Sequence, residues 1–352
     1  MELENFPNYP MPYFKTGNVP IVLSFSDYFV PYAAVEIRSI LAHGSAQNNY
    51  DFLVLHTSIS ERSRERLLQL VSDFSNAAIR FINVSGEVSR FPLLRNGHVG
   101  IETFYRLICT EVLRNYEKVV YLDSDLIILK DLKEIYDLEL GGALLGAAID
   151  PDHAGEYNGG LPGVRKYTDE VLKLRFPFSY FQAGVLLINV QAMNRKFENG
   201  YLLKTASERE YMYVDQDVLN MCCEGNTLQL DMRWNVMADC MGVRKDKLIR
   251  CAPPPIYEAY LEARRDPFII HYAGTEKPWE TPDSDFAEYF WEHARKTGFY
   301  ELILKRMAEA SLEKEKGFLN QGRLYRLACR LLPEGTRRRR LAKKVYSFLS
   351  HQ

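Results

Sequence analysis

Segments with the apolar pattern of a strand alternate with amphipathic helical segments along the first 150 residues. Strands are predicted at residues 20–25, 52–56, 79–84, 118–122 and 144–149. Helices are predicted between them at residues 30–41, after Ser60 and at residues 101–113. This alternation predicts an α/β protein with a mostly parallel sheet and helices on both faces. The ligands of such proteins bind at the carboxyl ends of the strands.

Several common binding motifs are absent from the sequence. No G-x-G-x-x-G follows the first predicted strand, and no G-x-x-x-x-G-K-[ST] occurs, so neither a dinucleotide cofactor of the usual kind nor a P-loop is expected. The six cysteines lack C-x-x-C spacing, which argues against a zinc site. The net charge of −2 argues against a dedicated nucleic-acid binder.

That net charge conceals an uneven distribution along the 352 residues. Residues 323–352 contain nine lysines and arginines and one acid, Glu334, so this segment carries +8. The first 322 residues therefore carry −10. The sequence is that of an acidic body with a strongly basic tail.

The strongest local signal is the pair Asp123 and Asp125, directly after the apolar residues 118–122. Side chains two residues apart in an extended chain point the same way, so both carboxylates face one spot at the strand end. Two anionic oxygen donors suit Mg²⁺ or Mn²⁺. The pattern permits the D-x-D of sugar-nucleotide glycosyltransferases and the D-x-D-x-[TV] of phosphatases that form an aspartyl phosphate. Ile127 stands where the second pattern has Thr or Val, which disfavours the phosphatase.

Other candidate residues lie later in the chain. His271 ends a predicted strand and could complete a metal site, and Lys277 could meet a phosphate as a point charge. Gln182 lies in the block 181–189, at the start of an apolar strand predicted at residues 183–190, where small residues allow a ligand to approach closely. Asp215 precedes a predicted helix, and an N-cap role for it is an open alternative.

Together these segments resemble glycosyltransferase family 8, which includes bacterial lipopolysaccharide α-galactosyl- and α-glucosyltransferases and glycogenin. Four motifs occur in the family's order: D-x-D at 123–125, F-x-A-G-V-L-L-I-N at 181–189, D-Q-D at 215–217 and H-Y-x-G-x-x-K-P-W at 271–279. The resemblance implies a GT-A fold with a Rossmann-like sheet. It also implies that a hexose is transferred from a UDP-sugar with retention of the anomeric configuration.

The resemblance assigns roles to individual residues. Metal ligands for Mn²⁺ or Mg²⁺ would be Asp123, Asp125 and His271. The UDP-sugar would be bound by Ser24, Asp27, Asp123, Ser124, Asp125, Gln182, Ala183, Gly274 and Lys277. The reaction centre would contain Arg106, Asp215 and Gln216, together with Asp150, which matches a family position near the acceptor.

Two positions depart from the family pattern. Gln182 stands where many members have Asn, which implies a different contact with the donor sugar. The sequence Ser26-Asp27-Tyr28-Phe29 replaces a D-D-N-Y element that contacts uridine. Asp27 is retained, and the aromatic ring of Tyr28 could lie against the base.

The predicted organisation has four parts: an N-terminal extension at 1–18, a catalytic domain at 19–283, a helical extension at 284–322 and the basic tail at 323–352. In the tail, Arg323, Arg326 and Arg330 share one helical face. Basic amphipathic helices of this kind bind anionic membrane surfaces. Because the N-terminus has no signal-peptide pattern, we expect a cytoplasmic protein at the inner face of the cell membrane.

The expected activity is therefore that of a retaining hexosyltransferase, moving galactose or glucose to an oligosaccharide or glycolipid acceptor in lipopolysaccharide or other cell-surface glycan synthesis. A self-glucosylating primer like glycogenin is an alternative, because 22 tyrosines offer candidate attachment sites. A glycan-binding protein without turnover and the aspartyl-phosphate phosphatase are the other two.

Overall fold

The computed structural model describes residues 9–93 and 100–313. Its strands are β1 (Asn18–Ser24), β2 (Asn49–His56), β3 (Ala77–Asn83), β4 (Lys118–Leu122), β5 (Leu126–Ile128), β6 (Leu145–Ala147), β7 (Val185–Asn189), β8 (Thr227–Gln229), β9 (Val236–Met237) and β10 (Ile269–His271). Its α-helices are α1 (Val30–His43), α2 (Glu61–Val71), α3 (Ser85–Val88), α4 (Cys109–Val112), α5 (Leu132–Tyr136), α6 (Pro151–Gly155), α7 (Val164–Tyr167), α8 (Val190–Lys196), α9 (Tyr201–Ser207), α10 (Val214–Cys223), α11 (Pro254–Ala263) and α12 (Ala287–Ala294).

Seven strands form the central sheet in the order β3-β2-β1-β4-β7-β6-β8. Within it β1 is parallel to β2 and β4, β2 to β3, and β6 to β8, whereas β7 is antiparallel to both of its neighbours. The prediction of a mostly parallel sheet is confirmed. A second sheet has the order β5-β10-β9, with β10 antiparallel to β5 and parallel to β9.

The apolar strands form the core of the central sheet because both of its faces are covered. The side chains of Ile21, Val22 and Leu23 in β1 are fully buried, as expected for a central parallel strand. The predicted start of α2 is also confirmed. Ser60 is its N-cap, and the Ser60 hydroxyl accepts a hydrogen bond from the backbone N–H of Ser63 at 3.3 Å.

The helix predicted at residues 101–113 is wrong in type. Ile101–Leu107 is a 3₁₀ helix, and only the short α4 follows it. The Thr103 carbonyl accepts a hydrogen bond from Nε of the Arg106 side chain at 3.1 Å. In a regular α-helix, the Thr103 carbonyl would instead accept a hydrogen bond from the backbone N–H of Leu107. The apolar pattern correctly identified which side chains are buried, including Phe104 and Tyr105.

The strand predicted at 144–149 was too long, since β6 ends at Ala147 and only an isolated bridge between Ile149 and Phe181 follows. The strands β5, β8 and β9 were not predicted. Each contains only two or three residues. Segments that short carry no measurable periodicity.

The chain divides into two units, Met1–Tyr300 and Glu301–Gln352. All the labelled elements lie in the first unit. In the second unit, the described residues 301–313 are helical. The predicted basic tail lies outside the described residues. Across residues 9–93 and 100–313, we find no helix with the length and hydropathy that a membrane crossing requires.

Candidate active site

The junction of the two sheets brings three predicted site residues together. Asp123 follows β4 of the central sheet, whereas Asp125 precedes β5 of the small sheet. His271 ends β10, and the antiparallel register pairs it with Leu126, the residue after Asp125. Two strand ends and one strand pairing therefore place residues from distant parts of the chain at one point.

These three side chains form a compact group of potential metal ligands. One ligand atom from each of Asp123, Asp125 and His271 lies within 4.8 Å of the others. His271 Nε2 is 3.2 Å from Asp125 Oδ1 and 4.0 Å from Asp123 Oδ2. Two carboxylate oxygens and one imidazole nitrogen suit Mn²⁺ or Mg²⁺.

The hydrogen bonds around His271 orient it as a metal ligand. Its Nδ1 lies 2.9 Å from Asn235 Oδ1. An amide oxygen only accepts, so Nδ1 carries a proton, and Nε2, which faces the two carboxylates, is the nitrogen that would supply a lone pair to a bound metal. The Asn235 amide is oriented in turn, because its Nδ2 donates to Gln182 Oε1 at 2.7 Å. Supporting contacts of this kind are typical of metal-binding histidines.

Gly184 lies where these side chains are closest. Its backbone N–H donates to Gln182 Oε1 at 2.5 Å. A Cβ atom at this position would overlap Cε1 of His271 and would lie 2.8 Å from Gln182 Oε1 and 2.9 Å from Asp123 Oδ2. Only glycine therefore fits against the group. Gln182 is a predicted donor-binding residue, and its amide oxygen accepts hydrogen bonds from Gly184 and Asn235.

Arg106 joins the metal-ligand group to the D-Q-D segment. Its Nη2 is 2.6 Å from Asp123 Oδ1, and its Nε is 2.8 Å from Asp215 Oδ2. The guanidinium is almost fully buried and lies over the ring of Tyr121, 4.7 Å from its centroid. Burial alone would lower the pKa of Arg106, but the two carboxylates raise it above its usual range. Arg106 and its two carboxylate partners, Asp123 and Asp215, therefore form a fixed network of charges.

Asp215 is held on both of its carboxylate oxygens. Besides the ion pair with Arg106, it accepts a hydrogen bond from the Thr103 hydroxyl at 2.5 Å. Burial raises the pKa of Asp215 to about 6, although Arg106 opposes this rise. The N-cap alternative is wrong, because Tyr213 is the N-cap of α10 and Asp215 lies in its first turn. Val214, which begins α10, has φ of 51°, a strained value for a β-branched residue.

Gln216 connects the strand opening at Ala183 to Asp150. Its Oε1 accepts from the Ala183 N–H at 2.9 Å, and its Nε2 donates to Asp150 Oδ2 at 2.8 Å. Asp150 also caps α6, since its Oδ1 accepts from the His153 N–H at 3.1 Å. Burial raises the pKa of Asp150. The amide of Gln216 is therefore fixed at both ends.

Asp217, the last residue of the D-Q-D segment, is structural. Its side chain is fully buried, and its oxygens accept hydrogen bonds from Tyr180 Oη at 2.7 Å and Tyr167 Oη at 2.6 Å. The Tyr213 N–H also donates to it at 2.9 Å. These contacts hold the start of α10 and leave no free carboxylate oxygen.

Lys277 pairs with the ligand group from the loop after β10. Its Nζ is 2.5 Å from Asp125 Oδ2 and donates to the Tyr272 carbonyl at 2.7 Å. Burial would raise the pKa of Asp125, but Lys277 and His271 hold it well below its usual range. Asp125 is therefore ionised, as a metal ligand must be.

A cavity of about 480 Å³ opens beside this group. Of the predicted site residues, its lining contains Arg106, Asp123, Asp150, Gln182, Asp215, Gln216 and Gly274. It also contains acids and a base that the sequence did not single out, namely Asp152, Glu156, Asp239, Glu276 and Arg244. Glu276 lies within the motif at 271–279, but the other four residues belong to no quoted motif. Only the fold shows that they line the cavity.

Three of the predicted donor-binding residues outside that lining are Ser24, Asp27 and Ser124. Ser24 Oγ is 2.5 Å from Tyr121 Oη, and Ser124 Oγ donates to the Ser24 carbonyl at 3.2 Å. Asp27 Oδ1 accepts from both the backbone N–H and the hydroxyl of Ser60, each at 2.9 Å. Tyr28 is 60% exposed, and its ring contacts the rings of Phe29 and Tyr32.

Glu36 of α1 is a buried carboxyl whose charge state depends on the ligand group, and no sequence pattern indicates it. It is fully buried, and neither carboxylate oxygen has a hydrogen-bond partner among the described residues. Burial raises the pKa of Glu36 well above its usual value, and the charges of Asp125 and Asp123 raise it further. Glu36 therefore remains protonated in the folded protein above the pH at which it ionises in the unfolded chain.

We expect Glu36→Gln to flatten the pH dependence of stability. Between the unfolded pKa and the raised folded pKa, the folded state holds one more proton, so Glu36 makes stability fall as pH rises, by up to about 1.4 kcal/mol per pH unit. Thermal unfolding of both proteins from pH 5 to 8 measures the difference, with the exposed Glu139→Gln as the control. Equal slopes for wild type and Glu36→Gln would contradict a protonated Glu36.

The sequence matches glycosyl transferase family 8 over residues 20–282. A lipopolysaccharide 1,2-glucosyltransferase of Escherichia coli is 25% identical over 263 residues, which are 73% of this chain and 70% of that protein. The galactosyltransferase LgtC, solved in complex with donor and acceptor sugar analogues, is 27% identical, with a TM-score of 0.65 over 80% of this chain and 96% of that one.

The bifunctional glycosyltransferase WbbM, solved in its apo form, is 30% identical, with a TM-score of 0.76 over 84% of this chain. This chain spans only 53% of the WbbM chain. The solved neighbours establish the fold as GT-A. Since the family match extends over well more than half of the 352 residues and contains all four motifs, the chain belongs to glycosyltransferase family 8.

Proposed function

We propose that this chain is a retaining hexosyltransferase that moves galactose or glucose from a UDP-sugar to a lipid-linked oligosaccharide or glycolipid in cell-surface glycan synthesis. Family membership implies a nucleotide-sugar donor and a saccharide acceptor, and favours glycosyl transfer over the aspartyl-phosphate phosphatase. The observation that carries the proposal is the convergence of Asp123, Asp125 and His271 beside the Arg106–Asp215 pair. The likeness to a lipopolysaccharide glucosyltransferase and to LgtC supports a hexose donor.

In this proposal Asp123, Asp125 and His271 hold Mn²⁺ or Mg²⁺, which when bound neutralises charge on the leaving diphosphate. Lys277 supplies a second positive charge from the loop after β10, only 2.5 Å from Asp125. Gly274 in the same loop lines the cavity and lets a phosphate approach the backbone. The acidic cavity needs these cations, because its carboxylates would otherwise repel a diphosphate.

The contacts of the candidate nucleophiles favour attack on the same face as the leaving group. The Gln216 oxygen accepts from the Ala183 N–H, and an amide oxygen is a poor nucleophile. Both Asp215 oxygens are bound, by Arg106 and Thr103. Asp217 is buried against two tyrosine hydroxyls. No acid of the D-Q-D segment is therefore poised for a double displacement.

In the proposed step, the bond between the anomeric carbon and the phosphate oxygen breaks. The acceptor hydroxyl oxygen bonds to the same face of that carbon, and its proton passes to the departing phosphate oxygen. Asp150 fixes the Gln216 amide, and Arg106 fixes Asp215, so that neither side chain has to reorganise as positive charge develops on the sugar. A glycosyl adduct trapped on Asp215 or Asp217 would contradict this mechanism.

A panel of UDP-sugars, with Mn²⁺ and EDTA arms and UDP release as the readout, tests the function. We expect release from UDP-galactose or UDP-glucose with Mn²⁺ and none with EDTA. Intact mass of the protein after the reaction separates turnover from self-glycosylation. A mass increase by whole hexoses would favour the primer alternative, and no UDP release from any donor would contradict the transferase.

We expect Asn235→Leu to weaken Mn²⁺ binding by about 10–100-fold, because the proton on His271 Nδ1 loses its acceptor and Nε2 loses its fixed orientation. Isothermal titration with Mn²⁺ measures the affinity. Asn235→Asp, which keeps an acceptor for Nδ1, is the matched control and should bind more tightly than the leucine variant. Equal Mn²⁺ affinity in wild type and Asn235→Leu would exclude this role for Asn235.

We further propose that the basic tail binds an anionic membrane surface and places the enzyme at the inner face of the cell membrane. The support is the +8 charge of residues 323–352, at about 1 kcal/mol of attraction for each basic residue near such a surface. The full chain should float with phosphatidylglycerol vesicles at low salt and dissociate at high salt. Flotation that survives removal of residues 323–352 would contradict the proposal.

A further inference from the structure

Arg244 is a cation in the cavity that the proposed mechanism does not use. Its side chain is only 17% exposed. The guanidinium is 2.9 Å from Asp152 Oδ2 through Nε, donates to the Ala238 carbonyl at 2.6 Å through Nη1, and donates to the Ala273 carbonyl at 2.8 Å through Nη2. One planar group therefore contacts three segments of the cavity wall.

The backbone of Arg244 is fixed independently of its side chain. The Asp239 carboxylate accepts hydrogen bonds from the N–H groups of Val243 at 2.9 Å, Arg244 at 2.8 Å and Lys245 at 3.0 Å. Asp239 is buried and itself follows β9 closely. Because its backbone is fixed, the Arg244 guanidinium has a defined position and can hold the groups that it contacts in place.

On the donor side, Arg244 packs against the loop that holds Gly274 and Lys277. Gly274 has φ of 98°, and a Cβ there would lie 2.9 Å from Arg244 Nη2. The absence of a side chain lets the guanidinium reach this loop. Lys277, three residues further on, is bound to Asp125 of the ligand group. Displacement of Arg244 would therefore release the backbone that positions Gly274 and Lys277.

On the other side, Arg244 binds Asp152 in the first turn of α6. Asp152 lies two residues after Asp150, the residue placed by resemblance on the acceptor side. Its other oxygen, Oδ1, is buried and has no hydrogen-bond partner among the described residues. The ion pair with Arg244 is thus the principal described contact of this carboxylate.

We propose that Arg244 is a positioning residue that couples the acceptor side of the cavity, through Asp152, to the donor-diphosphate loop, through Ala273 and Gly274. The inference rests on the proposed function, because it takes the loop at residues 273–277 as the diphosphate site. Arginine suits this role because its rigid fork serves three acceptors at once, which a lysine ammonium on a flexible stem does not reproduce. Substitution of Asp152 should therefore change donor binding although Asp152 lies on the other side of the cavity.

The test is the dissociation constant of UDP in the presence of Mn²⁺, measured by isothermal titration on the full chain. We expect Asp152→Asn to weaken UDP binding by about tenfold, within the range of ordinary coupling between sites. Arg244→Gln should weaken it at least as much, and Arg244→Lys should not restore it. The double variant should bind UDP no more weakly than Arg244→Gln, because both changes remove the same link.

A buried pair far from the cavity provides the control. Arg80 on β3 and Asp51 on β2 are 2.6 Å apart and similarly buried, so Arg80→Gln disrupts a comparable ion pair. It should lower stability and leave the UDP dissociation constant unchanged. If Arg244→Gln fails to fold, Asp152→Asn, which keeps the shape of the side chain, still decides the matter.

Wild-type affinity for UDP in Asp152→Asn would overturn the inference, as would additive losses in the double variant. Weaker UDP binding in Arg80→Gln would overturn it too, since the effect would then follow stability alone. Failure of the wild type to bind UDP with Mn²⁺ is a different result, because it would contradict the proposed function itself.

Discussion

Asp125→Ala is expected to lower the rate of UDP release by at least about 10³-fold, with or without acceptor, while the protein stays folded. The substitution removes one of three ligand-group side chains and the partner of Lys277 at 2.5 Å. Stabilisation of a leaving diphosphate by a bound cation amounts to several kcal/mol, and about 1.4 kcal/mol corresponds to a factor of ten in rate. Initial rates at saturating Mn²⁺ and the thermal unfolding midpoint are the measurements.

Asp137→Ala is the matched control for this loss. Asp137 also pairs with a lysine, Lys133, but its side chain is 57% exposed and lies at the end of α5. Its removal should leave the rate of UDP release unchanged. Activity retained by Asp125→Ala at saturating Mn²⁺ would exclude Asp125 as a metal ligand.

Gly184→Ala should reduce both Mn²⁺ affinity and turnover, each by about 10²-fold or more. The added methyl group would overlap the His271 ring and crowd Asp123 Oδ2 at 2.9 Å, so the ligand group must move apart. Displacements of about 1 Å at a reacting centre can cost about 10²-fold in rate. Mn²⁺ titration and UDP release measure the two effects separately.

Gly142→Ala tests whether the loss comes from the site or from the added methyl group. No atom lies within 4 Å of a Cβ built at Gly142, which is exposed before β6. This variant should bind Mn²⁺ and release UDP like the wild type. Normal Mn²⁺ affinity in Gly184→Ala would show that the ligand group tolerates the methyl group and would contradict the close packing described above.

The parallel part of the fold could be predicted because its strands are long, apolar and separated by helices. β1 to β4 lie close to the predicted positions. Two short strands of the second sheet were not predicted, since β5 has three residues and β9 has two. Their pairing is imposed by tertiary contacts and leaves no trace in local periodicity.

The helix predicted at residues 101–113 illustrates a further limit. An apolar stripe indicates which side chains are buried, but it does not reveal which acceptor each N–H uses. The Arg106 side chain donates a hydrogen bond to the Thr103 carbonyl. The position of this side chain depends on its ion pairs with Asp123 and Asp215, which are distant in sequence. Local pattern could not show a hydrogen bond that long-range charges determine.

The candidate site was predicted in part because its motifs are contiguous. The order of the motifs predicted that Asp123, Asp125 and His271 belong to one site, and the structure brings the three side chains together. Asn235 and Arg244 lie in segments without a motif, and only the packing reveals their contacts. The sequence showed candidate ligands, whereas the residues that orient them depend on the tertiary fold.

The division of the ligand group between two sheets has a consequence for protein engineering. Asp123 follows β4 of the large sheet, whereas Asp125 precedes β5 and His271 ends β10 in the small one. A chimera that takes its small sheet from a relative must therefore import Asp125 and His271 as one cassette, together with Asn235 beside β9. A crossover at Ser124 would take Asp123 from one parent and Asp125 from the other. The two parents would then have to supply ligands that match each other.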